Sequence, residues 1–174
     1  MSKHVKIDLK PLQNFSRGLR TGLQSPRSPG PVHDMFTRWV KRYESFAKRR
    51  FVKMSRGGWK PLAASTLKGR RGGKGKRRKA AILIDTGTLV KSLTIGATGN
   101  MIEWLRNGVR YGIGGPAKHP DGKATIADIA RFHDSGKGRL PKREIIVAPD
   151  AATVNAMKRD VKSAVTALGQ KYGG

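Results

Sequence analysis

Between Lys68 and Lys79 every residue is either cationic or glycine, eight Lys or Arg and four Gly in twelve positions. Such a block has nothing to bury and repels itself, so it stays out of a core and reads as a flexible loop. It also divides the chain. Before it the pattern is helical and cationic, and from Ile82 onward short apolar runs alternate with turn residues. A core must be assembled across this block from a helix on one side and strands on the other, which predicts an α+β architecture.

Composition supplies the core and names the problem. With Gly counted and Tyr left out, about 48% of the residues are apolar, inside the roughly 45–50% of ordinary globular domains. A length of 174 residues predicts one domain with tails. The formal net charge of +26 opposes compaction, and it is relieved by a polyanion or an acidic protein surface. The absence of cysteine excludes disulfides and thiolate–metal sites. The longest apolar run, Ala80 to Ile84, is too short for a membrane span. Residues Met1 to Lys6 lack the apolar stretch of a secretory signal. A soluble cytoplasmic or assembly-bound protein with no membrane partner is expected.

Residues 1–32 read as an N-terminal extension and linker, with the main domain over 33–174. Val5, Ile7 and Leu9 alternate as in a strand, whereas Leu9, Leu12, Phe15 and Leu19 suit a helix, so the period is ambiguous. Pro26, Pro29 and Pro31 mark a linker. Asp34 is placed to cap a helix running to about Lys53. Phe36, Trp39, Val40, Tyr43, Phe46 and Ala47 form its apolar stripe, with Arg38, Lys41, Arg42, Lys48 and Arg49 largely off it. Gly57-Gly58 ends that helix. Trp59 and Leu62 bracket a proline and are expected to anchor a loop on the core, and Ser65 to cap a short turn.

Beyond the basic block, Leu93, Ile95 and Ala97 alternate, Thr98-Gly99-Asn100 turns, and Ile102 and Trp104 alternate on the return, a hairpin pattern. A third strand is expected at Val109–Ile113 after Asn107-Gly108, and a fourth at Glu144–Ala148. Thr125 caps a short helix carrying Ile126, Ile129, Ala130 and His133, ended by Gly136. Asp150 caps a last helix with the stripe Val154, Met157, Val161, Ala164, Val165 and Leu168. The expected fold is a single α+β domain. It has an antiparallel sheet of about four strands packed against the 34–53 and 150–168 helices, with a flexible basic loop at 68–79.

Asp85-Thr86-Gly87, after the apolar Ile82-Leu83-Ile84, matches the catalytic loop of aspartic proteases, in which two carboxylates share a proton. Those enzymes place Ala or Ser after the Gly, whereas Thr88 follows here, and no Gly-rich flap is visible. The stretch reads as a strand end turning at Thr-Gly. His4, His33, His119 and His133 show no ligand spacing, so no metal is expected. No phosphate-binding Gly-x-x-x-x-Gly-Lys-Ser/Thr occurs, and no cofactor is expected. The carboxylates are few and scattered. The chain therefore reads as a non-enzyme. Sequence-independent nucleic-acid binding is the chemical alternative. Its contacts would be Lys68, Arg70, Arg71, Lys74, Lys76, Arg77, Arg78 and Lys79, with the cations of the 34–53 helix beside them.

An ordered set of short motifs resembles the phage virion morphogenesis, or tail-completion, family. The set comprises Gly58-Trp59-Lys60-Pro61-Leu62 with Thr66, a basic variable loop, Ile82-Leu83 with Thr86-Gly87, Leu89 and Ser92-Leu93, Tyr111-Gly112, His133 with Gly136, and Leu140-Pro141-Lys142-Arg143. It covers about residues 36–170. Residues Ile113 to Thr125 depart from it as an insertion. The resemblance implies a non-enzymatic virion protein of the neck that completes the tail or joins it to the head. It would assemble as a ring, hexameric or matched to the connector, after a cytoplasmic stage in the host. Its neighbours would be neck, connector or tail-terminator proteins, with genomic DNA in the lumen. It also implies structural roles for Trp59 and Leu62 as loop anchors, Thr86 and Gly87 as a bend, and Arg143 as the fixed point before the last strand.

Overall fold

In the computed structural model, Pro31 opens the first helix, α1 (Pro31–Lys53). The structure describes residues 29–64, 82–84, 86–105, 108–120, 122–136 and 140–172. Proline suits a first helical position because its missing N–H has no acceptor there anyway. Asp34, the expected cap, instead lies in the first turn, where its charge complements the helix N-terminus. Its N–H donates to the Gly30 carbonyl at 2.9 Å. The helix thus begins three residues early, and Val32, assigned to the linker by sequence, is buried. At the other end Met54–Gly58 widens into a π-type turn, broken by Gly57 at φ 137°. The Trp59 N–H closes it on the Met54 carbonyl at 3.0 Å.

A one-turn helix follows, α2 (Thr88–Lys91). A hairpin, β1 (Asn100–Leu105) and β2 (Gly108–Ile113), comes next. Then come α3 (Ile126–Ser135) and α4 (Ala151–Tyr172). Thr125 caps α3 as expected, its hydroxyl accepting the Asp128 N–H at 3.0 Å, and Gly136 ends it in the left-handed conformation. The mixed α+β class holds. No helix among the described residues is long and apolar enough to cross a membrane.

The four-stranded sheet is not found. Among the described residues the sheet has two strands, β1 and β2. Residues 93–97 satisfy their backbone locally instead of pairing: Thr94 N–H reaches Lys91 O at 2.8 Å, and Ala97 N–H reaches Thr94 O at 3.0 Å. The expected fourth strand, Glu144–Ala148, has three of its polar backbone groups taken by side chains. Arg50 donates to the Glu144 carbonyl (2.6 Å), Asp134 accepts from the Ile145 N–H (3.1 Å), and Tyr43 donates to the Val147 carbonyl (2.6 Å). Once these groups are satisfied they do not need a ladder. Residues 1–28 of the N-terminal extension, the Ser65 turn, the 68–79 loop, Asp85 and the Asn107 turn lie outside the described residues.

Two compact units emerge. One gathers the described residues up to Arg42, those of Glu103–Arg110, and those from Ala151 onward. Val32, Met35, Phe36, Ala164 and Leu168 form its core, with Trp39, Trp104 and Val109 packed against them. Asp160, only 7% exposed, is turned inward and gripped by Arg42 at 2.6 and 3.0 Å and by Arg38 at 3.2 Å. That orientation corrects the expected α4 stripe. Thr153 and Ala156 are buried beside Ala164 and Leu168, while Val161 and Val165 are 38% and 45% exposed.

The other unit spans the described residues of Tyr43–Ile102 and Tyr111–Asp150. Its core comprises Ala47, Phe51, Trp59, Ile82, Leu89, Leu93, Ile126 and Ile145. Phe51 and Trp59 meet edge to face at 5.1 Å and 84°. Gly99, at φ 81°, has no room for a side chain, since a Cβ there would stand 2.9 Å from Ile126 Cδ1.

Candidate functional site

The motif residues of the sequence fall within the second unit. Gly87, in the left-handed region at φ 76°, starts α2, and its carbonyl accepts the Lys91 N–H at 2.9 Å. Thr86 Oγ1 accepts the Thr88 N–H at 3.2 Å and lies 2.7 Å from Thr88 Oγ1. This Thr-Gly bend delivers the chain into Ser92 and Leu93, both fully buried. Ser92 Oγ donates to the Leu89 carbonyl at 2.8 Å, the Tyr111 hydroxyl donates to the Leu93 carbonyl, and Asn100 Nδ2 donates to the Ser92 carbonyl at 3.1 Å. Burial pushes the Tyr111 phenol up, so it remains a donor at any ordinary pH.

Trp59 is 5% exposed and Leu62 packs on the same core. The clamp on that loop is Arg143, 3% exposed, whose Nη2 donates to the Lys60 carbonyl at 3.0 Å and lies 3.5 Å from the Pro61 carbonyl. The Arg143 N–H donates in turn to the carbonyl of His133 at 2.7 Å. Sequence placed Arg143 before a strand. In the structure it ties the extended segment both to the Trp59 loop and to α3. The backbone of Lys142 crosses directly over Gly136, where a Cβ would stand 3.0 Å from the Lys142 nitrogen.

Between the Thr-Gly bend and α3 lies a small cavity of about 110 Å³, lined by Leu83, Thr86, Leu89, His119, Ile126, Ile129 and His133. His119 Nε2 is 3.3 Å from Thr86 Oγ1. Burial, helped by the nearby Arg143 guanidinium, holds His133 below the usual imidazole range and keeps it neutral at pH 7. The fold thus gathers two of the four histidines around one aliphatic hollow, a proximity that their sequence separation could not reveal. Among the described residues, no three His, Asp or Glu side chains gather to hold a metal.

On the outer face of α1, Lys48, Arg49, Val52, Lys53 and Arg56 line a shallow depression of about 580 Å³. Lys48 is bridged to Glu44 at 2.6 Å. The sequence-predicted contacts Lys68, Arg70, Arg71, Lys74, Lys76, Arg77, Arg78 and Lys79 lie outside the described residues. Sequence reading also missed the Asp160 clamp. Its only trace is a carboxylate on α4 in a chain that has just 11 carboxylates against 37 Lys and Arg.

Comparison of the chain with protein-family models, with curated proteins and with solved structures returned no match.

Proposed function

We propose that this chain is a structural protein of a tailed-phage virion that completes the tail or joins it to the head in the neck, acting by ring assembly and protein–protein contacts. One observation supports the reading above others. Of the described motif residues, Trp59, Leu62, Ile82, Leu83, Leu89 and Leu93 pack in a single core, and the side chains of Arg143 and Tyr111 are directed at backbone carbonyls. Arg143 holds Lys60, Tyr111 holds Leu93, Asn100 holds Ser92, and the Arg143 N–H holds His133. Side chains spent on backbone build a scaffold, and a scaffold is what an assembly protein needs. A hexamer, or a ring matched to the connector, would carry the positive surface to acidic neighbours or to DNA in the lumen.

The test is electron microscopy of particles made without this chain. Filled heads and finished tails that remain unjoined are expected. Normal tailed, infectious particles would remove the proposal.

A further inference from the structure

We propose that the outer face of the second half of α1 binds the phosphate backbone of duplex nucleic acid without reading its bases. The lining cations are Lys48, Arg49, Lys53 and Arg56, around a shallow hollow floored by Val52. Glu44 engages Lys48 alone. No carboxylate among the described residues pairs with Arg49, Lys53 or Arg56. The opposite face of the same segment is locked in the core through Ala47, Phe51 and Ser55. The cations are therefore presented on a helix that cannot roll away. From Arg49 to Lys53 on α1 the axial rise is about 6 Å, roughly two steps at the 3.4 Å rise of one B-form strand, and Arg56 extends the row from the π-type turn that follows.

The side-chain chemistry selects the partner. A protein interface is centred on aromatic or aliphatic anchors and is poor in Lys, whereas this face carries two Lys and no aromatic residue, with Val52 its one apolar side chain. Base reading in a groove relies on Asn, Gln and bidentate Arg fitted to base edges. None of the lining residues is an amide, and no described side chain holds Arg49 or Arg56 in the fixed geometry that bidentate reading of a base edge needs. Charge alone remains, and it fits phosphates. This surface is separate from the 68–79 block in sequence, and the inference does not depend on the virion reading.

The experiment uses the full chain and the triple variant Arg49→Gln/Lys53→Gln/Arg56→Gln, with every cation of 68–79 left in place. Anisotropy of a labelled duplex of about 30 base pairs, in two unrelated sequences, is followed over a salt series. Each lost phosphate contact should flatten the log–log salt slope by about 0.9, so the triple variant should lose about 2 to 3 and Lys53→Gln alone about 1, equally on both sequences. These residues are exposed, and thermal melting should match the parent. An unchanged slope in the triple variant would overturn the proposal. So would a loss confined to one sequence, or tight binding of polyglutamate by a protein that does not retain DNA.

Discussion

In the unit built on Val32, Phe36, Ala164 and Leu168, two helices and a hairpin tip share a core that helical periodicity largely foretells. In the unit around Trp59, Leu93 and Ile126, helix residues such as Phe51 and Ile126 share the core with Trp59, Ile82 and Leu93 from turns and loops, and Arg143, Tyr111 and Asn100 hold parts of those loops by their carbonyls. The first kind of core tolerates drift, because a helix can rotate slightly and still bury a stripe. The second does not, since a turn that loses its clamp has no period to fall back on. The difference locates the motif-bearing residues. They sit where local pattern is weakest and tertiary contacts must do the specifying.

The largest effects should come from the turn-built core. Trp59→Ala should cost about 3–5 kcal/mol in urea unfolding, because a large aromatic packed on Phe51 leaves a cavity that loop residues cannot refill. A cost below about 1 kcal/mol would equate this core with an exposed loop and erase the contrast. Asp160→Asn in the helical unit should cost less, about 1–3 kcal/mol, since the guanidiniums it leaves behind are partly solvated.

The Asp160 carboxyl also gives that unit a pH signature. Its hydrogen bonds to Arg42 hold it below the usual carboxylate range. Its stabilisation is therefore present above the unfolded value of about 4 and is lost as pH falls through the lower folded value. In acid titrations followed by circular dichroism, Asp160→Asn should flatten this limb.

Smaller still is the Thr-Gly bend. Gly87→Ala should cost about 1–2 kcal/mol from the left-handed backbone alone, as a Cβ there would meet Lys91 Cε at an unstrained 3.9 Å. Gly136→Ala should cost more, because the Lys142 backbone adds a clash to a similar φ of 69°. Equal costs would mean that the Lys142 crossing contributes nothing. The least effect is expected at His133. Its lowered pKa means that the unfolded chain takes up a proton first as pH drops below about 6.5, so stability declines from there downward. His133→Gln should remove that shallow decline between neutral pH and the carboxylate range.

What could be read from sequence follows the same division. The α1 stripe, the Gly57 break, the Thr125 cap and the Gly136 stop were legible because caps and periods are local. The start of α1 was misplaced by favouring Asp34 over Pro31, two plausible signals three residues apart. The α4 face was misread because hydrophobicity alone assigns Val161 and Val165 inward, and nothing local says that Asp160 will be turned in by two arginines. Strands were over-predicted for a similar reason. Residues 144–148 form the short β-branched apolar run of a strand, but Arg50, Tyr43 and Asp134 occupy backbone groups that a neighbouring strand would need. The clamp by which Arg143 reaches Lys60 was not legible, as it joins positions 83 residues apart.

The central claim is that the Ile82–Leu93 stretch and its partners serve as scaffold, not as the catalytic loop that Asp85-Thr86-Gly87 resembles. Under the proposed virion role, electron microscopy of particles made without the chain, complemented either by Asp85→Asn or by Trp59→Ala, tests this most directly. Joined, tailed particles with Asp85→Asn and unjoined heads and tails with Trp59→Ala are the predicted result. Failure of joining with Asp85→Asn in a protein that is folded and present at normal level, alongside full rescue by Trp59→Ala, would contradict it.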